Sequence, residues 1–401
     1  MTAWQDLTTG ERVKSLRGSD MTQEQLAESA GVSVGTVRKL EQGGTLSLPF
    51  LLKIAGALGT DVSTILGQQS PRRGMDRDER SAVRAMSAAV HGSAMGDIDH
   101  VEPGPLDGLQ AAARRADTLL WVSDYPELGA VLSRLLPEAR AVYDASTGEE
   151  RSAAAGVLAD AYQTAAYAAN LLGQRDLSRA ALNYGRTTAL SVGDDLRAAH
   201  LASTVAWVSL RDGQTKYGVQ VAAKAAAATE PRMSETDPDL LSVYGQLVTN
   251  AAVAASRGGA SPDTARDWLS QAHAVAARIG REHARGKQNQ PFGPAYAATQ
   301  AMSVAIALGD TARALRLAET TTLPDDMPLS TRARWRLDVA LLRTQTRQWD
   351  TAADELEEVC MMAPAWVRHQ ALPGVVAAKI ADYNVSRVRR IAAMARVPLG
   401  V

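Results

Sequence analysis

From about Leu106 onward the chain is a helix-forming sequence broken at regular intervals, and this rhythm restricts its fold more than any other feature. Alanine, leucine, arginine and valine dominate, alternating β-branched runs are almost absent, and helix propensity is high throughout. The breaks are Ser123-Asp124-Tyr125-Pro126, Gly173-Gln174-Arg175-Asp176, Asp212-Gly213-Gln214, Gly258-Gly259-Ala260-Ser261, Gly309-Asp310 and Gln348-Trp349-Asp350. They recur about every 37–46 residues, with two wider gaps of about 50. Amphipathic segments such as Leu177–Leu182 and Ala312–Ala318 follow them, so the repeated unit reads as helix, short turn, helix. A unit of that size cannot cover its own apolar face, and neighbours must stack. The expected fold is therefore all-α, with a helical solenoid over 105–401.

A different pattern occupies Thr22 to Gly43. Thr22 with Gln25 has the form of a capping box and predicts a helix from Gln23, with Leu26, Ala27 and Ala30 on its buried side. Gly31 ends it, because so sharp a reversal favours a residue that tolerates positive φ. Ser33 caps the next helix, in which Val37 and Leu40 face inward and Val34, Gly35, Arg38, Lys39 and Gln42 lie on other faces. A short helix with a small N-terminal turn, basic residues and a supporting helix before it suits the DNA major groove.

These residues resemble the helix-turn-helix of the Xre/Cro/phage-repressor family. The likeness runs over about residues 10 to 67 and takes in Arg17, Thr22-Gln23, Leu26-Ala27, Gly31-Val32-Ser33, Thr36-Val37, Glu41 and Gly43. Leu51 to Ala55, Leu58-Gly59, Val62 and Ile65-Leu66 are similar to the family's fourth and fifth helices. The resemblance implies a five-helix DNA-binding domain over 1–67. In it, Gln23 would touch a phosphate, Ser33, Val34, Gly35 and Lys39 would approach base edges, and Thr36 and Arg38 would flank the backbone. Arg17 and Glu41 would form an inward-facing ion pair. Val34 and Gly35 stand where polar base readers often sit in the family, so apolar contact to thymine methyl groups or close backbone approach would substitute.

Charge adds a constraint. The net charge is −1, which is not that of a non-specific nucleic-acid binder. Within residues 1–67, Arg12, Lys14, Arg17, Arg38, Lys39 and Lys53 face Asp6, Glu11, Asp20, Glu24, Glu28, Glu41 and Asp61. Affinity for double-stranded DNA must rest on the placement of a few cations, doubled in a homodimer. The single cysteine, Cys360, excludes an intramolecular disulfide. The N-terminus has no secretory pattern and no apolar run reaches membrane-spanning length, so a soluble, cytoplasmic protein without membrane association is expected.

Gly67 to Gly74 is polar and contains Pro71, marking the domain boundary. A connecting helix is expected from Asp76 to about Val90 and a loop from Gly92 to Gly104, so that 68–104 is a linker. In the solenoid, the turn Leu172-Gly173-Gln174-Arg175-Asp176-Leu177-Ser178-Arg179-Ala180 is similar to that of tetratricopeptide repeats, which makes the array TPR-like. The order of the two parts resembles cytoplasmic regulators of actinobacterial type and, more loosely, peptide-pheromone-responsive regulators. In such arrays the first helix of each pair lines a concave surface. Those helices are placed near 154–172, 196–210, 239–256, 294–308 and 330–347. Gln163, Tyr167 and Asn170 recur at i, i+4, i+7 in the first, as do His200, Thr204 and Trp207 in the second; Gln246 and Asn250 follow in the third. Amides facing a groove can pair with an extended peptide backbone, so these eight residues form the candidate effector groove. Packing between repeats is the competing explanation for Tyr167 and Trp207.

The segment from Arg281 to Pro294 carries one of two phenylalanines and reads as a flap over the groove or a solvated connector. The last helix, about Val375 to Val397, has the polar and apolar faces of a terminal cap. His273 and His283 lack the company of a metal site, no cofactor is implied, and no catalytic constellation appears. The expected protein is a regulator, not an enzyme. It reads an inverted or direct DNA repeat while its solenoid senses a short peptide or a small metabolite. The rival is a DNA-localised scaffold whose solenoid binds a partner protein.

Overall fold

The computed structural model describes residues 7–18, 21–44, 46–58, 60, 62–66, 75, 77–98, 101–102, 104–284, 291–396 and 399. Every named element among them is helical. The expected boundary at Gly67 to Gly74 lies outside the described residues.

Five short helices come first: α1 (Thr9–Arg17), α2 (Gln23–Ala30), α3 (Val34–Glu41), α4 (Leu48–Ala57) and α5 (Val62–Ile65). The Thr22 hydroxyl accepts the Gln25 N–H at 3.2 Å, and the Gln25 carboxamide accepts the Thr22 N–H at 2.8 Å. Thr8 and Glu11 build a second such box on α1. Both boxes satisfy donors that a helix start leaves orphaned. Gly31 is left-handed at φ 59°, as the reversal between α2 and α3 requires. Val13, Leu26, Val37, Leu40, Leu51, Ile54 and Ile65 close the core at no more than 3% exposure.

The next helix, α6 (Arg77–Met95), runs through Gly92 rather than giving way to a loop there. It packs along α8 (Tyr125–Ala145). Met86 and Val90 share a core with Leu128 and Leu132, and a Cβ on Gly129 would meet the Ala82 Cβ at 2.5 Å. The glycine permits the close crossing. So α6 belongs to the repeat body by its packing.

The body is made of antiparallel pairs: α7 (Leu106–Val122) with α8, α9 (Gly148–Leu171) with α10 (Arg175–Ser191), and α11 (Asp195–Arg211) with α12 (Thr215–Ala228). Then come α13 (Pro238–Ala254) with α14 (Pro262–Ile279), α15 (Pro294–Leu308) with α16 (Thr311–Thr320), and α17 (Leu329–Gln345) with α18 (Trp349–Met362). Short α19 (Pro364–Val367) leads to α20 (Leu372–Ala395), which packs on α17 and α18. Each expected break falls at the turn inside a pair. Gly173, Gly213 and Gly309 make theirs at φ 73°, 76° and 77°, while Ser123 and Arg347 adopt φ 63° and 60° where no glycine is present.

The first helices of successive pairs touch one another from α7 through α9, α11, α13 and α15 to α17, and α17 touches α7 again. The inner helices thus form a closed ring instead of an open concave face. Contacts between the ends of the body seal it: His369 Nε2 lies 3.0 Å from Glu79, both side chains under 10% exposed, and the His369 ring meets Tyr125 edge-on at 5.3 Å. Of the segment expected as a flap or connector, 285–290 lies outside the described residues, and 281–284 and 291–293 are packed on the body. His283 and Phe292 form an antiparallel bridge, and Phe292 is fully buried over Gly245, where a Cβ would come within 2.1 Å of its ring. The five-helix domain rests on this body through α4, which touches a π turn at Ala255–Gly259. Beside it Gly213 approaches Gly56, and a Cβ on Gly213 would lie 3.1 Å from the Thr60 carbonyl.

Candidate DNA-contacting face and central cavity

The exposed face of α3 holds Arg38 and Lys39, with Gly35 toward its N-terminus. A Cβ on Gly35 would meet only the Ser33 hydroxyl, at 3.7 Å, so that face is open to a second molecule. Ser33 is committed to capping: its Oγ accepts the Thr36 N–H at 3.1 Å and lies 2.8 Å from the Thr36 hydroxyl. Val34 is half-buried and packs against the core.

Behind α3, Arg17 Nε lies 2.7 Å from Glu41, with side-chain exposures of 13% and 5%. The Gln23 amide donates to the same carboxylate at 2.6 Å, and Arg17 Nη1 donates to the Met21 carbonyl at 2.5 Å. Burial works against the Glu41 charge, but the bonds from Arg17 and Gln23 outweigh it and hold the carboxyl below its ordinary range. Gln23 therefore ties the start of α2 to the end of α3. Arg12 is buried, with its guanidinium donating to the Ile65 carbonyl at 3.3 Å. Among the described residues of the domain this leaves Lys14, Arg38, Lys39 and Lys53 as the exposed cations.

At the centre of the ring lies a cavity of about 150 Å³. Of the eight expected groove residues, Tyr167, Trp207, Gln246 and Asn250 line it; Gln163, Asn170, His200 and Thr204 do not. Gln163 Nε2 donates to the Thr204 hydroxyl at 2.7 Å, and that hydroxyl donates to Tyr167 Oη at 3.2 Å. This chain joins α9 to α11 and orients Tyr167 from behind the wall. The ring of Tyr167 packs against Trp207 at 5.1 Å and Trp121 at 6.1 Å. Asn170 and His200 are buried between helices, and the Asn250 amide donates to the Ser203 carbonyl at 3.0 Å. The cause is shared: once inner helices touch, helical spacing places two of the three residues on each of α9 and α11 in the inter-helix contact rather than on the open side, while both residues of α13 stay in the lining.

The sequence reading missed other lining residues, among them Trp121, Arg211, Arg334, Trp335, Asp338 and Gln370. Arg211 Nη1 donates to Gln370 at 3.1 Å and its guanidinium sits 5.1 Å from the Trp207 ring centre. Arg334 pairs with Asp338 at 3.1 Å. Just beyond the wall Arg257 donates to the Ser303 hydroxyl at 3.2 Å. Burial, and then the neighbouring Arg334, push Arg211 and Arg257 down to about 10. A charged residue on an alanine-rich inner helix was the available signal, for even half-burial of an arginine needs a reason.

Residues 13–65 match the helix-turn-helix family HTH_3. This part of the chain is an Xre-family helix-turn-helix domain, of the kind that binds DNA in transcription regulators. No curated protein and no solved structure matches the chain. Among the described residues no helix is long and apolar enough to cross a membrane, and no three His, Cys, Asp or Glu side chains converge as a metal site would need.

Proposed function

We propose that the chain is a sequence-specific transcriptional regulator whose TPR-like repeat body senses an effector and thereby controls operator binding. The observation that carries this reading is one continuous stretch of backbone. Arg211, in the cavity wall, stands two residues before Gly213, which abuts Gly56 and Thr60 of the DNA-binding domain. Asn250 lies on the helix that runs into the π turn under α4. An occupant that moves the ends of α11 or α13 would press on the seat of the helix-turn-helix. The effector would act by favouring one orientation of that domain over another, since equal affinity for both would shift nothing.

Lys39 and the open surface over Gly35 would read the bases, and Thr36 and Arg38 would contact the backbone. With so few exposed cations, a homodimer on a repeated operator would supply the remaining phosphate contacts. The closed ring favours a small effector over an extended peptide or a partner protein, because a cavity of about 150 Å³ admits a group the size of one aromatic ring.

The test is a selection of genomic fragments bound by the purified protein, with and without a small-molecule extract of cells. A defined repeat whose retention changes with the extract is the expected result. No enrichment over random DNA would defeat the reading, and an enriched site indifferent to every fraction would defeat its sensing half.

A further inference from the structure

The composition of the cavity is unlike that of the chain around it. Aromatic residues are 4% of the sequence, yet four of the seven tryptophans, Trp121, Trp207, Trp335 and Trp366, line this one space, with Tyr167 and Tyr296. Flat faces in such number suit a ring, which they can meet by stacking or edge-on.

Its charge is unbalanced as well. Arg211 and Arg334 line the cavity, and Arg257 lies close enough to both for mutual repulsion. Asp338, bonded to Arg334, is the only carboxylate in the lining among the described residues. Asp212, the other acid near Arg211, is already engaged by Arg175 and Arg179 at 3.2 and 2.8 Å. Arg211, Arg257 and Arg334 are half-buried, and a cationic surplus withdrawn even partly from water is costly without an anion. Guanidinium forks bind planar oxyanions in two parallel hydrogen bonds, and one carboxylate brings one negative charge in little volume.

From these features we infer that the central cavity binds a small carboxylic acid bearing a ring-sized planar group, its carboxylate paired with Arg211 and Arg334 and its ring against Trp207 and Tyr167. The inference names the effector class of the function proposed above and rests on that reading for its regulatory consequence. Binding itself does not depend on it. The carboxylate could belong to a free metabolite or to the last residue of a peptide; the closed ring and the cavity volume select the free acid.

Binding is measured on the full-length chain by tryptophan fluorescence and thermal midpoint. The probes are 3-phenylpropionate and indole-3-acetate, with their neutral amides, phenyl phosphate, and the peptide Ala-Ala-Phe with a free C-terminus. At least one acid should bind about tenfold more tightly than its amide. In Arg211→Gln that preference should vanish while the amide binds as before; Arg211→Lys, which keeps the charge but not the fork, serves if Arg211→Gln does not fold. Failure of both acids to bind, equal affinity for acid and amide, or an undiminished preference in the variants overturns the inference. Tighter binding of the peptide or of phenyl phosphate also overturns it, in favour of a peptide end or a phosphate. DNA retention is read separately. Acid binding that leaves DNA retention unchanged removes the regulatory reading and keeps the ligand; a DNA response to extract but to no acid does the reverse.

Discussion

Three residues show how much of this protein is decided by single positions. Glu41 gathers Arg17 and Gln23 behind α3, at 5% side-chain exposure. Glu41→Ala leaves the guanidinium without its carboxylate, and a loss of about 3 kcal/mol is expected in denaturant unfolding. Because the Glu41 pKa is depressed in the fold, its contribution is present at neutral pH and is lost as pH falls through that lowered value. Gly35 works in the opposite sense. Among the described residues a Cβ there would meet only the Ser33 hydroxyl, at ordinary contact distance, so Gly35→Ala should stabilise α3 by about 0.5–1 kcal/mol while weakening operator binding, if DNA comes close to that backbone. An electrophoretic shift on the selected operator reads the second effect. Asp117 accepts from Trp121 Nε1 at 3.1 Å, and burial, with Asp160 nearby, pushes it up to about 8. The folded chain thus holds a proton that the unfolded chain releases near 3.8, so stability falls as pH rises from there to about 8. Asp117→Asn keeps the acceptor and removes the charge. Its thermal midpoint should exceed the parent's at pH 8 and match it near pH 4.

At the scale of elements, helices are adjusted to one another by the smallest residues. Gly129 admits Ala82 of α6 onto α8, and Gly245 in α13 makes the seat for Phe292. Gly245→Ala is a helix-favouring change in isolation, yet here it should cost about 1–3 kcal/mol, because the new methyl and the buried ring cannot share the space. In Phe292→Ala, a loss of about 3–5 kcal/mol is expected from the cavity left behind. The double variant should then be less impaired than the sum, a coupling that a thermal double-mutant cycle measures. The same pair explains why residues 281–284 and 291–293 depart from the connector expected of them. The polar residues there suggest a free connector, and only the opposite helix reveals that Phe292 is core.

For the whole molecule the deciding feature is closure. The ring seals where α17 meets α7 and where His369 reaches Glu79 and Tyr125, residues nearly 300 positions apart in the first case. His369→Ala should unseal it. Hydrogen exchange is expected to quicken together in α6, in the start of α8 and over 364–372, with the helix-turn-helix unaffected. Faster exchange confined to 364–372 would show that this contact decorates the ring without holding it.

What the sequence determined by itself was local. Capping at Thr22, the reversal at Gly31, the inward positions of Val37 and Leu40, and the pairing turns of the repeats follow from residues within a few positions of one another, where backbone sterics and helical period leave few choices. Legible too were five of the helices that line the cavity, though not α7 or α19, and four of its lining residues. Tertiary structure decided the rest: that the repeats close, that Gln163, Asn170, His200 and Thr204 are buried between helices, and that arginines and tryptophans from distant helices converge. Closure depends on small rotations summed over six pairs, and no single repeat encodes that sum.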